Sequence, residues 1–170
     1  METEYVVLVD AQDKEIGTLE KMQAHREGKL HRAVSVIVFN SKKQVLLQKR
    51  AIVKYHSAGL WTNTCCTHPR PGEKTLDAAK RRLYEEMGIR CELKKIFELT
   101  YNFKLADDLS EHEFDHVFAG ICDEVPLPDP MEVSDYKYIE IKDLEKQMND
   151  APEQFTAWFR SIFEHFNIPK

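Results

Sequence analysis

Two aliphatic, β-branched runs, AVSVIVFN (33–40) and QVLLQKR (44–50), are separated only by Ser41, Lys42 and Lys43. So short a polar gap joins antiparallel strands, and the pair predicts a hairpin. Downstream, Pro71-Gly72 breaks the chain before TLDAAKRRLYEEMG, where Leu76, Ala79, Leu83 and Met87 recur at helical spacing. That spacing predicts a helix with one buried stripe, Thr75 as N-cap and Gly88 as stop. Strand-like segments flank this unit: EYVVLVD and IGTLEK before it, then 93–103, 113–122 and 136–141 after it. A helical stretch holding Lys21 and His25 follows IGTLEK, and a last helix is predicted over 151–166 with Phe155, Trp158, Phe159 and Ile162 inward. Such alternation predicts an α/β (α+β) chain, a mixed sheet with helices on its faces.

With 170 residues and no Pro/Gly/Ser linker, one domain over 1–170 is expected. The net charge of -5 argues against nucleic acid and anionic membrane as partners. An anionic small molecule remains possible wherever basic side chains gather. The first apolar run, Tyr5 to Val9, is far too short for a signal or anchor helix, so a cytoplasmic location is expected. The four cysteines, Cys65, Cys66, Cys91 and Cys122, form no C-x-x-C pair, which speaks against a cysteine-built zinc knot and for free thiols. Cys91 and Cys122 sit in apolar runs and read as core filler.

Chemistry-bearing residues concentrate in a few places. WTNTCCTHPRPGEKT (61–75) carries adjacent cysteines and His68 just before the turn. Glu111 and Glu113 in SEHEFDHVF point to one side of a strand. Two like charges side by side are costly unless a cation lies between them, although a solvated strand end is the commoner case. His25 and His31 bracket a short loop. Imidazoles with carboxylates suit a divalent ion such as Mn, Mg or Zn. Arg82, Glu85 and Glu86 fall opposite the apolar stripe, where a solvated, internally paired face is the ordinary reading.

The segment from Thr67 to Ile89 resembles the Nudix box, G-x5-E-x7-R-E-U-x-E-E-x-G-U with U bulky and apolar. Glu73, Arg81, Leu83, Glu85, Glu86, Gly88 and Ile89 match; Thr67 replaces the first Gly, and Arg82 replaces the Glu after Arg81. A guanidinium there repels a cation and suits direct contact with phosphate. Taken together, LEKMQAH, LH, WTNTCCTHP, the altered box and EHEFDH resemble the type I isopentenyl-diphosphate isomerase family, in order and over nearly the whole chain.

That resemblance implies a Nudix fold, mixed β-sheets sandwiched between helices, with a core over about 30–162 and an N-terminal strand and helix (1–29) contributing to the site. It implies one divalent metal held by His25, His31, His68, Glu111 and Glu113, and a Mg ion that arrives with the diphosphate and meets Glu86. Cys66 and Glu113, with Tyr101 assisting, become the proton-transfer residues on opposite sides of the substrate. Phe103 shares the strand face with Tyr101 and could instead occupy the family's tyrosine position. Lys21, Arg50, Lys54 and Arg82 match the diphosphate-binding residues. Trp158 matches an aromatic wall, its bland alternative being a helix anchor.

The implied reaction is the interconversion of isopentenyl and dimethylallyl diphosphate. An isolated alkene is a weak base, so protonating it demands a well-placed acid and a dry pocket. A thiol near a cation has its pKa lowered, which would let Cys66 shuttle a proton near neutrality. The rivals are a Nudix pyrophosphohydrolase acting on a diphosphate, and a catalytically silent metal-binding scaffold.

Overall fold

The computed structural model describes residues 2–166. Within them lie nine strands and four α-helices: β1 (Tyr5–Val9), β2 (Glu15–Glu20), α1 (Lys21–Glu27), β3 (His31–Phe39), β4 (Val45–Arg50), β5 (Trp61–Thr62), β6 (Cys65–Thr67), α2 (Thr75–Met87), β7 (Lys94–Lys104), β8 (Ser110–Ile121), β9 (Val133–Ile139), α3 (Ile141–Asp150) and α4 (Ala157–Phe166).

β3 organises the sheet. It runs parallel to β8 in unbroken register from His31↔Glu113 to Phe39↔Ile121. Its other edge takes β6 antiparallel, with Ser35 opposite Cys66. β1 meets its first residue and β4 its last. The predicted turn at 41–43 is present, but β3 and β4 pair only at Phe39↔Val45. β4 then continues as the partner of β9 and β5. A strand paired in parallel and covered on both sides must be apolar on both faces, and β3 is buried from Ala33 to Val38.

Alternation along β3 and β4 divides the core. Val34, Val36, Val38 and Leu46 pack against Ala78, Ala79, Leu83 and Met87 of α2. Ile37, Val45 and Leu47 pack on the other side against Leu144 of α3 and Phe159 and Ile162 of α4. The sheet thus lies between α2 and the α3–α4 pair, a mixed α+β architecture.

Several details depart from expectation. Leu76 is 36% exposed, and Ala78 takes its place in the buried stripe. Thr75 is already helical; Lys74 is the N-cap and makes no side-chain cap bond. Gly88 does end α2, at φ 68, and a Cβ there would come within 2.7 Å of the Leu127 carbonyl oxygen, so only glycine fits. The last helix begins at Ala157; a short 3-10 turn at Pro152–Gln154 precedes it. α3 was not anticipated. Cys91 lies outside any strand and is only half-buried, whereas Cys122 is buried just beyond β8.

Candidate metal and substrate site

The imidazoles are aimed by backbone. Glu20 caps α1 by accepting from Met22 N at 2.9 Å and Gln23 N at 2.8 Å. One turn on, His25 Nδ1 lies 2.7 Å from the Lys21 carbonyl, and at the start of β3 His31 Nδ1 lies 2.8 Å from the Lys29 carbonyl. A carbonyl only accepts, so Nδ1 carries the hydrogen in both rings and Nε2 is turned to the site. Both Nε2 atoms are buried without a hydrogen-bond partner. Leaving such atoms unsatisfied costs about 1–3 kcal/mol each, a cost that a bound cation would remove.

β8 supplies the carboxylates. Its alternation puts Glu111, Glu113 and Asp115 on one face, all buried. His25 Nε2 is 3.4 Å from Glu111 Oε1; His31 Nε2 and His68 Nε2 are 3.8 and 3.1 Å from Glu113 Oε2. Three overlapping triples, His25–His31–His68, His25–His56–Glu111 and His68–Glu111–Glu113, each hold their donor atoms within 4.8 Å of one another. All five expected ligands belong to this cluster, and three imidazoles with two carboxylates fit a divalent ion of borderline hardness.

Electrostatics point the same way. Burial and the Glu111 charge push Glu113 well above its ordinary value. Burial works against ionising Glu111 too, but hydrogen bonding with Glu113 and His56, together with the nearby His25 ring, holds it well below. Burial lowers His31 to about 4 and keeps His68 neutral, with His31 beside it adding to the effect. For His25, burial is outweighed by Glu111 and its proton affinity rises. Two acids sharing one proton beside the neutral His31 and His68 rings, with His25 drawn toward its charged form by Glu111, make a site that welcomes positive charge.

Cys66 faces the same cavity. Its Sγ contacts Asn63 Oδ1 at 3.3 Å and Asn63 Nδ2 at 3.2 Å, and lies 3.6 Å from Ser35 Oγ. Ser35 Oγ donates to Asp115 Oδ2 at 2.7 Å, and the Tyr101 hydroxyl donates to the same oxygen at 3.1 Å. Burial, with Asp115 adding to it, pushes the Cys66 thiol up to about 12. The protein environment alone therefore raises this thiol, and the expected lowering belongs to a cation beside it. Tyr101 lies opposite Glu113 in the β7–β8 ladder and stacks on Phe103 at 5.4 Å, but it is Tyr101 that lines the cavity. Cys65 points into the α2 core.

The cavity has a volume of about 400 Å³ and a basic rim. Lys21, Arg50, Lys54 and Arg82 all border it, as do Glu86 and Trp158. Most of these cations are already paired. Lys21 bonds Glu4, and Lys54 Nζ lies 2.6 Å from Glu132 Oε2. Arg82 reaches Glu86 at 2.7 Å, Glu85 at 3.0 Å and Glu132 at 3.0 Å. Arg82 is therefore enclosed by carboxylates, and Glu86 is buried against Gln48 Nε2 at 2.7 Å instead of lying on a solvated face. Arg50 stacks over Trp158 at 5.2 Å.

Sequence reasoning missed His56, Asp115 and Glu132. Asp115 continues the two-residue alternation of Glu111 and Glu113 and could have been found by it. His56 in KYHSAG and Glu132 in PMEV carry no periodic signal.

The NUDIX domain family profile matches residues 29–159. The chain is 57% identical over 158 residues to the isopentenyl-diphosphate Delta-isomerase of Pectobacterium atrosepticum, covering 93% of this chain and 88% of that one. It is 49% identical to the enzyme of the same name from Burkholderia multivorans, covering 98% and 94%. Among solved structures, DR0079 of Deinococcus radiodurans superposes with a TM-score of 0.83 at 17% identity over 97% of this chain and all of that one, a likeness of fold. The chain belongs to the NUDIX domain family and, within it, to the isopentenyl-diphosphate Delta-isomerases.

Proposed function

We propose that the cavity interconverts isopentenyl and dimethylallyl diphosphate, with His25, His31, His68, Glu111 and Glu113 holding one divalent ion. The observation that carries this reading is the pairing, on the walls of one cavity bordered by Lys21, Arg50, Lys54 and Arg82, of a largely buried imidazole–carboxylate cluster with the half-buried Cys66 thiol. When bound, the ion supplies the charge that keeps Glu111 and Glu113 both ionised and oriented. The donor set accepts Mn, Mg or Zn.

The chain's own residues divide the proton work. Cys66, its Sγ on the cavity wall beside Asn63 and Ser35, enters as the donor. The S–H bond breaks, the proton adds to the terminal alkene carbon, and a tertiary cation forms. Glu113, ionised as a ligand, takes a proton from the neighbouring carbon, and the double bond closes there. Tyr101, its cross-strand neighbour, assists it. The net result moves one proton from Cys66 to the carboxylate side. The Ser35–Asp115–Tyr101 hydrogen bonds form the path for its return. Arg50 and Trp158 close the cavity against water, which would otherwise add to the cation.

Lys21, Arg50, Lys54 and Arg82 receive the diphosphate, exchanging carboxylate partners for phosphate oxygens. Glu86, now paired with Arg82 and Gln48, would hold a Mg ion carried in with the diphosphate. The N-terminal segment belongs to the site because it supplies Lys21 and His25. Four free thiols fit a reducing compartment, the cytoplasm. No helix among the described residues is long and apolar enough to cross a membrane.

The test is NMR of isopentenyl diphosphate with metal-loaded protein in deuterated water. A double-bond shift with deuterium uptake and no free phosphate is expected. Phosphate release would favour the pyrophosphohydrolase, and an inert mixture the silent scaffold.

A further inference from the structure

His56 lies outside the five-residue ligand set, yet its Nε2 is 2.7 Å from Glu111 Oε1, closer than either His25 or His31 comes to a carboxylate oxygen. Its side chain is only 8% exposed. The segment that carries it, residues 51–60, has neither strand nor helix and turns Ile52 and Val53 out to solvent. An imidazole drawn this far into a polar cavity from an irregular segment is held there by specific contacts.

Those contacts define its protonation pattern. Nδ1 lies 3.2 Å from Ser57 Oγ, which has a hydrogen to give. With Nδ1 accepting, Nε2 carries the ring hydrogen and donates it to Glu111. Ser57 adopts φ 52, unusual for a residue with a side chain. The His56 ring stands edge-on to Trp158 at 5.6 Å and to Tyr55 at 4.4 Å. Its carbonyl accepts from Arg50 Nη2 at 3.1 Å. One residue thus touches a carboxylate of the ion cluster, the aromatic wall and a diphosphate-binding arginine.

We propose that His56 is a positioning residue of the metal centre. It donates Nε2–H to Glu111, fixes the rotation of that carboxylate for ligation, and by the same bond fastens residues 51–60 over the cavity. The inference rests on reading the five-residue cluster as an ion site. Hydrogen bonds to ligating carboxylates typically carry about 10- to 100-fold of metal affinity.

The experiment is Mn(II) titration of chelator-stripped protein, with free ion counted by electron paramagnetic resonance. His56→Phe keeps a ring against Trp158 and Tyr55 but has no N–H to give. Its Mn affinity is expected to fall about 10- to 100-fold below that of the native chain. His56→Gln brings an amide N–H to roughly the Nε2 position and is expected to recover most of the affinity. Ion-free melting curves establish that each variant is folded, and His56→Leu stands in if His56→Phe is not. Native-like Mn binding by the variant lacking the donor overturns the inference and leaves the ion site standing. An equal loss in His56→Gln and His56→Phe also overturns it, because a ring nitrogen bound to the ion would then be the requirement. Absence of Mn binding by the native chain overturns the ion site and the inference together.

Discussion

Ser35 and Cys66 stand opposite each other in the β3–β6 ladder, with Oγ and Sγ 3.6 Å apart, and Ser35 passes its hydrogen to Asp115 at 2.7 Å. The thiol that the proposed reaction uses is thus set by strand register, not by a flexible loop, and it connects to the carboxylate face of β8 through a single hydroxyl.

Cys66→Ser keeps the volume and the Asn63 and Ser35 partners but replaces the donor with a poorer acid. Turnover should fall about 10²- to 10⁴-fold, the range typical of a lost general acid or base. Stability should change by about 1 kcal/mol or less. Steady-state rates and urea melts of the same sample check both; equal losses in rate and stability would assign Cys66 to packing.

Trp158 is 4% exposed and packs with Phe159 and Ile162, so it anchors α4 as well as walling the cavity. Trp158→Ala should cost about 3–5 kcal/mol, which makes a selective loss of turnover unreadable in that variant. Trp158→Phe is the informative change. It should retain the fold and lower turnover, by weakening the ring under Arg50, and a melt with an isomerase assay measures both.

Much of this was legible in the sequence. The β-branched runs and the helix after Pro71-Gly72 placed the sheet and α2, because a buried strand and an amphipathic helix leave strong periodic signals. The two-residue spacing of Glu111 and Glu113 foretold a shared face. α3 escaped notice because IKDLEKQMND buries only Leu144 and Met148 among polar residues. His56 and Glu132 escaped because their roles depend on tertiary contacts, with Glu111 and with Lys54 and Arg82, that no local pattern encodes. Likewise, Arg82 reads as a free phosphate grip until its three carboxylate neighbours are seen in space.

Within the Nudix box, Arg81 grips Glu73 through Nε and Nη2, each at 2.8 Å. The Arg81 hydrogen bonds hold the Glu73 carboxyl below its ordinary value of 4.5. A depressed carboxylate stabilises the fold above its unfolded pKa, and that contribution is lost as pH falls through the folded value. Glu73→Gln should therefore be less stable than the native chain at neutral pH, by roughly 0.5–1 kcal/mol after solvent screening. The difference should vanish in strong acid. Urea denaturation as a function of pH tests the sign; a gap that widens in acid would contradict it.

Removing the ion should leave Glu113 to take up a proton beside Glu111 and forfeit the free energy of ion binding. An ion present at about a hundred times its dissociation constant stabilises the fold by about 2.7 kcal/mol. Chelation should then lower the melting temperature by roughly 5–10 °C for a chain of this size. Differential scanning calorimetry with and without chelator reads this directly, and an unchanged midpoint would speak against a resident ion.

The most direct test of the central claim is anomalous diffraction at the manganese edge from crystals of the Mn-loaded protein. The account predicts a peak within bonding distance of His25 Nε2, His31 Nε2, His68 and the Glu111 and Glu113 carboxylates, across the cavity from Cys66. A single peak at Glu73 and Glu85 of the Nudix box, with the imidazole cluster empty, would contradict it.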